Sequence, residues 1–198
     1  MNICVYGASS NAIDKDYIME GERLGEELAK RGHTLVFGAG AGGLMGAVAR
    51  GASRMGGKII GVAPLFFSAD GIIYDGCTEL IRTTTMRERK QILEDLSDAF
   101  IMSPGGIGTF EEFFEVMTLK QLARHNKAIT ILNTKGCYDS LNNLLKSLAD
   151  DGFMRDTALD LYKSFDNLYD TLDYIESYKP EEFDVADMKH LGVAYKEE

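Results

Sequence analysis

Short apolar runs rich in β-branched and aromatic residues recur along the chain: "NICVYG", "HTLVFG", "KIIGVA", "DAFIMS" and "AITILN". Amphipathic stretches separate them, and that alternation predicts a parallel sheet wrapped by helices, the α/β class. Residues 14–31 put Ile18, Leu24 and Leu28 near one face and stop at Gly32, which predicts a helix with a glycine end. Residues 138–151 carry Leu141, Leu144, Leu145 and Leu148 as an inward stripe, and residues 167–178 read as a last helix. "DAFIMS" is a nearly unbroken apolar run, as a central strand covered on both faces requires. The "PGGIGT" that follows it must then lie at the carboxyl edge of the sheet, where ligands of such sheets collect.

A chain of 198 residues, 45% hydrophobic, suffices for one well-buried domain and is short for two. Residues 1–178 are expected to form it. Residues 179–198 are polar and without a clear period, so they read as a C-terminal extension. A net charge of -10 makes a polyanion such as nucleic acid an unsuitable partner, while a small phosphorylated molecule remains open through a local nest of amides and arginines. Cys4, Cys77 and Cys137 stand far apart with no zinc or redox spacing, which suits reduced thiols in the cytoplasm. No secretion signal or membrane span is read, and the most apolar stretch, "TLVFGAGAGGLMGAVA", is short and glycine-rich.

Two glycine-rich loops compete for the role of anion site. Gly38, Gly40 and Gly43 satisfy G-x-G-x-x-G, but the loop follows the second apparent strand, and Ala63 stands where a ribose-binding acid is expected. Gly105, Gly106, Ile107, Gly108 and Thr109 instead leave a central strand and enter a helix, so amides and helix dipole converge there. Thr109 and Glu112 have the spacing of a capping box, and Glu112 is equally open to a catalytic part. Phe110, Phe113, Phe114 and Met117 fall together as core or dimer interface, and Glu111, Glu115 and Thr118 form a polar stripe.

Arg87, Arg89 and Lys90 sit in the first turns of the helix before the central strand, where the helix dipole prefers acids, so something negative is needed to justify them. Such a helix is expected to begin on the far side of the sheet unless a preceding segment carries it over, leaving the approach of Arg89 to the glycine loop open. Ser9 and Ser10 follow the first strand and either bind phosphate or cap a helix. His33, His125 and His190 lack metal or triad spacing and read as surface residues, and no metal site is expected.

Met86-Arg87-Glu88-Arg89-Lys90 followed by Pro104-Gly105-Gly106-Ile107-Gly108-Thr109-Phe110-Glu111-Glu112 resembles the Lonely Guy family pattern M-x-x-R-K with P-G-G-x-G-T-x-x-E. "GLMGAVA" is similar to it as well, and the likeness runs from about Asn2 to Tyr178. The resemblance implies a Rossmann-like, doubly wound, homodimeric phosphoribohydrolase without a cofactor, cleaving the N-glycosidic bond of a cytokinin riboside monophosphate or AMP. It implies Arg89 and Glu112 as catalytic, with Lys90, Gly105, Gly106, Ile107, Gly108, Thr109, Thr118, Ser10 and Gly43 binding substrate. Many such proteins carry the label lysine decarboxylase, which no lysine here supports. After Pro64 the family tends to have a glutamate, where "LFFSADG" offers Asp70, so the preferred base is left open. A nucleotide-binding or carrier module without turnover is the rival reading.

Overall fold

The computed structural model describes residues 1–69 and 71–180; Asp70, His190 and all but the first two residues of the expected extension lie outside them. Each of the five apolar runs forms a strand: β1 (Asn2–Tyr6), β2 (Thr34–Phe37), β3 (Ile59–Pro64), β5 (Ala99–Met102) and β6 (Ala128–Leu132). Two more stand at the sheet edges, β4 (Glu79–Thr83) and β7 (Lys163–Phe165), largely exposed and without an apolar run to announce them. All neighbours pair in parallel, in the order β4-β3-β2-β1-β5-β6-β7. The chain winds outward from β1 to β4, returns, and winds outward again from β5. β1 and β5 therefore flank the switch point of a Rossmann-like, doubly wound sheet.

The helices are α1 (Lys15–Lys30), α2 (Gly43–Arg54), α3 (Met86–Leu96), α4 (Ile107–Gln121), α5 (Asp139–Asp150) and α6 (Leu168–Ser177). Ile3 and Val5 of β1 point to a core shared with α1, α2 and α6. Cys4 and Tyr6 point the other way, to a core shared with α3, α4 and α5. The period of two in β1 thus divides one strand between two apolar layers. Phe113 and Met117 are buried in the second, with Phe110 and Phe114 partly buried against it. Leu144 departs from its expected stripe: Leu141 and Leu145 are buried, whereas Leu144 is 53% exposed on the outer side of α5.

The histidines depart as well. His33 is buried, its Nε2 2.7 Å from Glu176 Oε1 on α6, and His125 is half-buried against the carbonyl of Val116. Burial pushes His125 down to about 4. The three cysteines are free thiols, and none of the described helices is long and apolar enough to cross a membrane.

α1 and α2 pack backbone against backbone. A Cβ on Gly25 would land on the carbonyl oxygen of Val48, and one on Gly51 would land on that of Glu22. Neither obstacle is a side chain that could swing away. Gly25→Ala is expected to lower stability by about 2 kcal/mol through overpacking, read as a shift in the denaturant midpoint at unchanged slope.

Candidate active site

The loops after β1 and β5 are fastened together at the switch point. Ser103 donates its backbone amide (2.9 Å) and its hydroxyl (2.6 Å) to the carbonyl of Tyr6, and Ala8 donates its amide to that of Pro104 (3.0 Å). Tyr138 donates its hydroxyl to the carbonyl of Ser103 at 2.9 Å. The chain then enters α4 with Gly106 as N-cap and no side-chain cap. The first helical bond runs from the amide of Phe110 to the carbonyl of Gly106. Among the described residues no protein acceptor takes the amides of Gly106, Ile107, Gly108 or Thr109. Four donors at the positive end of a four-turn helix are what an anion seeks.

The other glycine loop is differently occupied. Gly43 donates to Asn11 Oδ1 (2.8 Å) and Met45 to the carbonyl of Ala8 (3.0 Å), so the β1 loop consumes amides at the start of α2. Gly43 has φ +59°, and a Cβ there would strike the carbonyl oxygen of Ala8. Its glycine serves a close approach between backbone segments.

The capping-box reading of Thr109 and Glu112 fails. α4 begins at Ile107, so Thr109 is already its third residue, buried with its hydroxyl toward Gly105. Glu112 turns instead to Arg89, Oε1 to Nη1 at 2.9 Å, and both side chains are nearly buried. The box belongs to α3: Thr85 Oγ1 accepts the amide of Glu88 (3.1 Å), and Glu88 Oε2 accepts both the amide (2.7 Å) and the hydroxyl (2.8 Å) of Thr84.

The expectation that α3 begins on the far side of the sheet is also corrected. α3 follows directly on β4, so it starts at the carboxyl edge and runs back to feed β5. Arg89, one turn in, donates Nε to the carbonyl of Val62 at the end of β3 (3.1 Å). Its Nη2 lies over Gly38 at the end of β2, so closely that a Cβ on Gly38 would occupy the same space. Lys90 lies between Glu111 (2.9 Å) and Glu115 (2.8 Å). The misplaced positive charge of α3 is thus answered by the acidic stripe of α4.

These groups share a cleft of about 650 Å³. Ser10, Arg89, Gly106, Ile107, Gly108, Thr109 and Glu112 line it; Gly43, Lys90, Gly105 and Thr118 do not. Gly38, from the competing glycine loop, also lines it, as do Phe67, Ile72 and Met86, for which the sequence offered no site role. Met86 heads the basic motif and Gly38 the glycine loop, but Phe67 and Ile72 carried no signal. Burial raises the Glu112 carboxyl above the ordinary glutamate value, against the pull of Arg89. Glu112 Oε2 has no protein donor among the described residues, which leaves a carboxylate oxygen for whatever occupies the cleft.

A family model described as "Possible lysine decarboxylase" matches residues 45–175. A cytokinin riboside 5′-monophosphate phosphoribohydrolase of Arabidopsis thaliana is 36% identical over 182 residues, 92% of this chain and 85% of its own. One from Mycobacterium tuberculosis is 42% identical over 149 residues, 75% of this chain and 80% of its own. Among solved structures, the molybdenum cofactor carrier protein of Chlamydomonas reinhardtii superposes with a TM-score of 0.66 at 22% identity, covering 88% of this chain and 95% of that one. That likeness concerns the fold alone. The decarboxylase description implies pyridoxal phosphate held by a lysine, and the cleft does not fit it. Among the described residues no lysine lines it; Lys90 is tied to two carboxylates, and Lys120 to the carbonyl of Lys127 and the hydroxyl of Tyr178. By sequence likeness over most of its length, this chain belongs to the cytokinin riboside 5′-monophosphate phosphoribohydrolases, the Lonely Guy family.

Proposed function

We propose that the protein hydrolyses the N-glycosidic bond of a nucleoside 5′-monophosphate, either a cytokinin riboside monophosphate or AMP. The observation that carries this reading is one cleft holding a buried Arg89–Glu112 pair beside four unclaimed helix amides. The amides of α4 receive the phosphate dianion. Glu112, one turn further in, meets the ribose. As the bond from C1′ to the base breaks, its electron pair leaves with the base and the sugar becomes cation-like; the free carboxylate oxygen stabilises that charge, as carboxylates do in glycoside hydrolysis. Water supplies the hydroxyl that closes C1′ and the proton that ends on the base, giving free base and ribose 5-phosphate. Arg89 orients Glu112 through a charge-assisted bond.

The same reading takes Lys90 as a positioning residue, since it holds the flanking acids Glu111 and Glu115. Gly105, Thr118 and Gly43 support substrate binding from outside the cleft wall. It includes a cytoplasmic protein, in keeping with three free thiols, and a homodimer through α4, whose Phe110 and Phe114 keep part of their surface exposed. Sedimentation at twice the chain mass is the expected result.

Incubation with AMP and with isopentenyl-modified AMP is expected to release free base, detected by chromatography; binding of both with release from neither would make the protein a carrier. Glu112→Gln is expected to reduce kcat by about 10²–10³-fold, the usual cost of one well-placed electrostatic group. The reaction needs the carboxylate, and burial raises its pKa, so kcat/KM should fall on the acid side through an ionisation above the ordinary 4.5. Gly38→Ala, which displaces Arg89, is expected to cost kcat roughly 10²-fold with the circular dichroism spectrum unchanged.

A further inference from the structure

Four amides serve an anion only if something keeps them aligned. Nothing packs against the two glycines among them: a Cβ on Gly106 or on Gly108 would meet no heavy atom within 4 Å. Besides the ties to the β1 loop, support comes from the loop after β6. Tyr138 lies there, 3% exposed, and reaches the segment at both ends. Its hydroxyl bonds the carbonyl of Ser103, ahead of the amides. Its ring meets that of Phe110, just beyond them, edge to face with centroids 5.6 Å apart. Burial pushes the hydroxyl above the ordinary tyrosine value, against the pull of the Gly105 backbone, so it stays a protonated donor.

Tyr138 is itself held. Its amide donates to Asn133 Oδ1 (2.7 Å), and Asn133 Nδ2 donates to Asp139 (2.8 Å) and Asp166 (3.3 Å). The amide of Asn133 donates in turn to the carbonyl of Phe165 on β7 (2.7 Å). A chain of hydrogen bonds thus runs from the edge strand to the glycine loop. Neither Tyr138 nor Asn133 lines the cleft, and the hydrolysis described above uses neither.

We propose that Tyr138 is a positioning residue for the phosphate: by fixing Ser103 and Phe110 on either side of residues 106–109, it holds their four amides in the arrangement that a phosphate dianion needs. The inference rests on the nucleotide reading above and adds to it a residue outside the cleft. An anion that met unaligned amides would have to order them on binding, and that cost would be subtracted from its affinity. The cost falls only on ligands that carry a phosphate. A part in core packing alone would instead touch all ligands alike.

Tyr138→Phe removes the hydroxyl and keeps the ring on Phe110. Calorimetric titration with AMP and with adenosine measures what the phosphate adds, and Glu112→Gln serves as the background so that AMP is not consumed meanwhile. This background protein is expected to bind AMP more tightly than adenosine. Adding Tyr138→Phe should shrink that preference about fivefold, the worth of one hydrogen bond, and leave the affinity for adenosine unchanged. Leu145→Ala, which thins the same apolar layer, is the control: it should lower the thermal midpoint and leave the preference intact. An undiminished preference in Tyr138→Phe, a matching loss for adenosine, or the same shrinkage in Leu145→Ala would each overturn the positioning role. Equal affinity for AMP and adenosine before Tyr138 is touched would defeat the nucleotide reading and this inference with it. A preference that is present and indifferent to Tyr138→Phe defeats this inference alone.

Discussion

The site depends on one ion pair withdrawn from water. Arg89 and Glu112 come from helices on the same face of the sheet, and their side chains are 7% and 12% exposed. A buried carboxylate without a cation is costly, and so is a buried guanidinium without an acceptor. Each makes the other tolerable, and the carbonyl of Val62 takes a further Arg89 donor. Such a pair adds little net stability compared with apolar packing, so its presence points to work that apolar side chains cannot do. Among the described residues Glu112 is held by one oxygen only. The other stays available in a cleft where electrostatic interactions are stronger than in water.

The sheet explains why the pair meets the glycine loop. Parallel strands turn all their carboxyl ends to one edge, so the segments after β1, β2, β3 and β5 converge there although they are distant in sequence. At the switch point the loops after β1 and β5 are joined by hydrogen bonds, and the β1 loop in turn caps α2. That cap decides between the two glycine-rich loops. Amides at the start of α2 are consumed inside the protein, while those of α4 face the cleft.

Sequence reading captured what periodicity encodes. The central strands, α1, α5, α6 and the location of "PGGIGT" follow from apolar runs and, for α1, from glycine at the helix end, all local signals. β4 was illegible because an edge strand with Glu79, Arg82 and little burial has no apolar pattern to read, and without β4 the start of α3 falls on the wrong edge. Thr109 and Glu112 have the same spacing whether the helix starts before or after Thr109, and what turns Glu112 inward is an arginine 23 positions away. His33 is buried for a similar reason, its partner lying 143 positions on. Phe67 enters the cleft by a turn whose anchor is on the next strand. Pattern reports the environment of a residue along its own element, and it is silent on partners brought by topology.

Only Thr84 and Thr85 separate β4 from α3, and the Glu88 carboxylate clasps that junction. Sheet margins ordinarily absorb insertions and deletions without harm, but a single residue added here would turn α3 by about 100° relative to the strand. The guanidinium would then swing away from β3 and from its carboxylate together. The outermost strand of this protein is therefore under a length constraint more often found in a catalytic loop, and relatives that share the chemistry should vary in the composition of this junction well before they vary in its residue count.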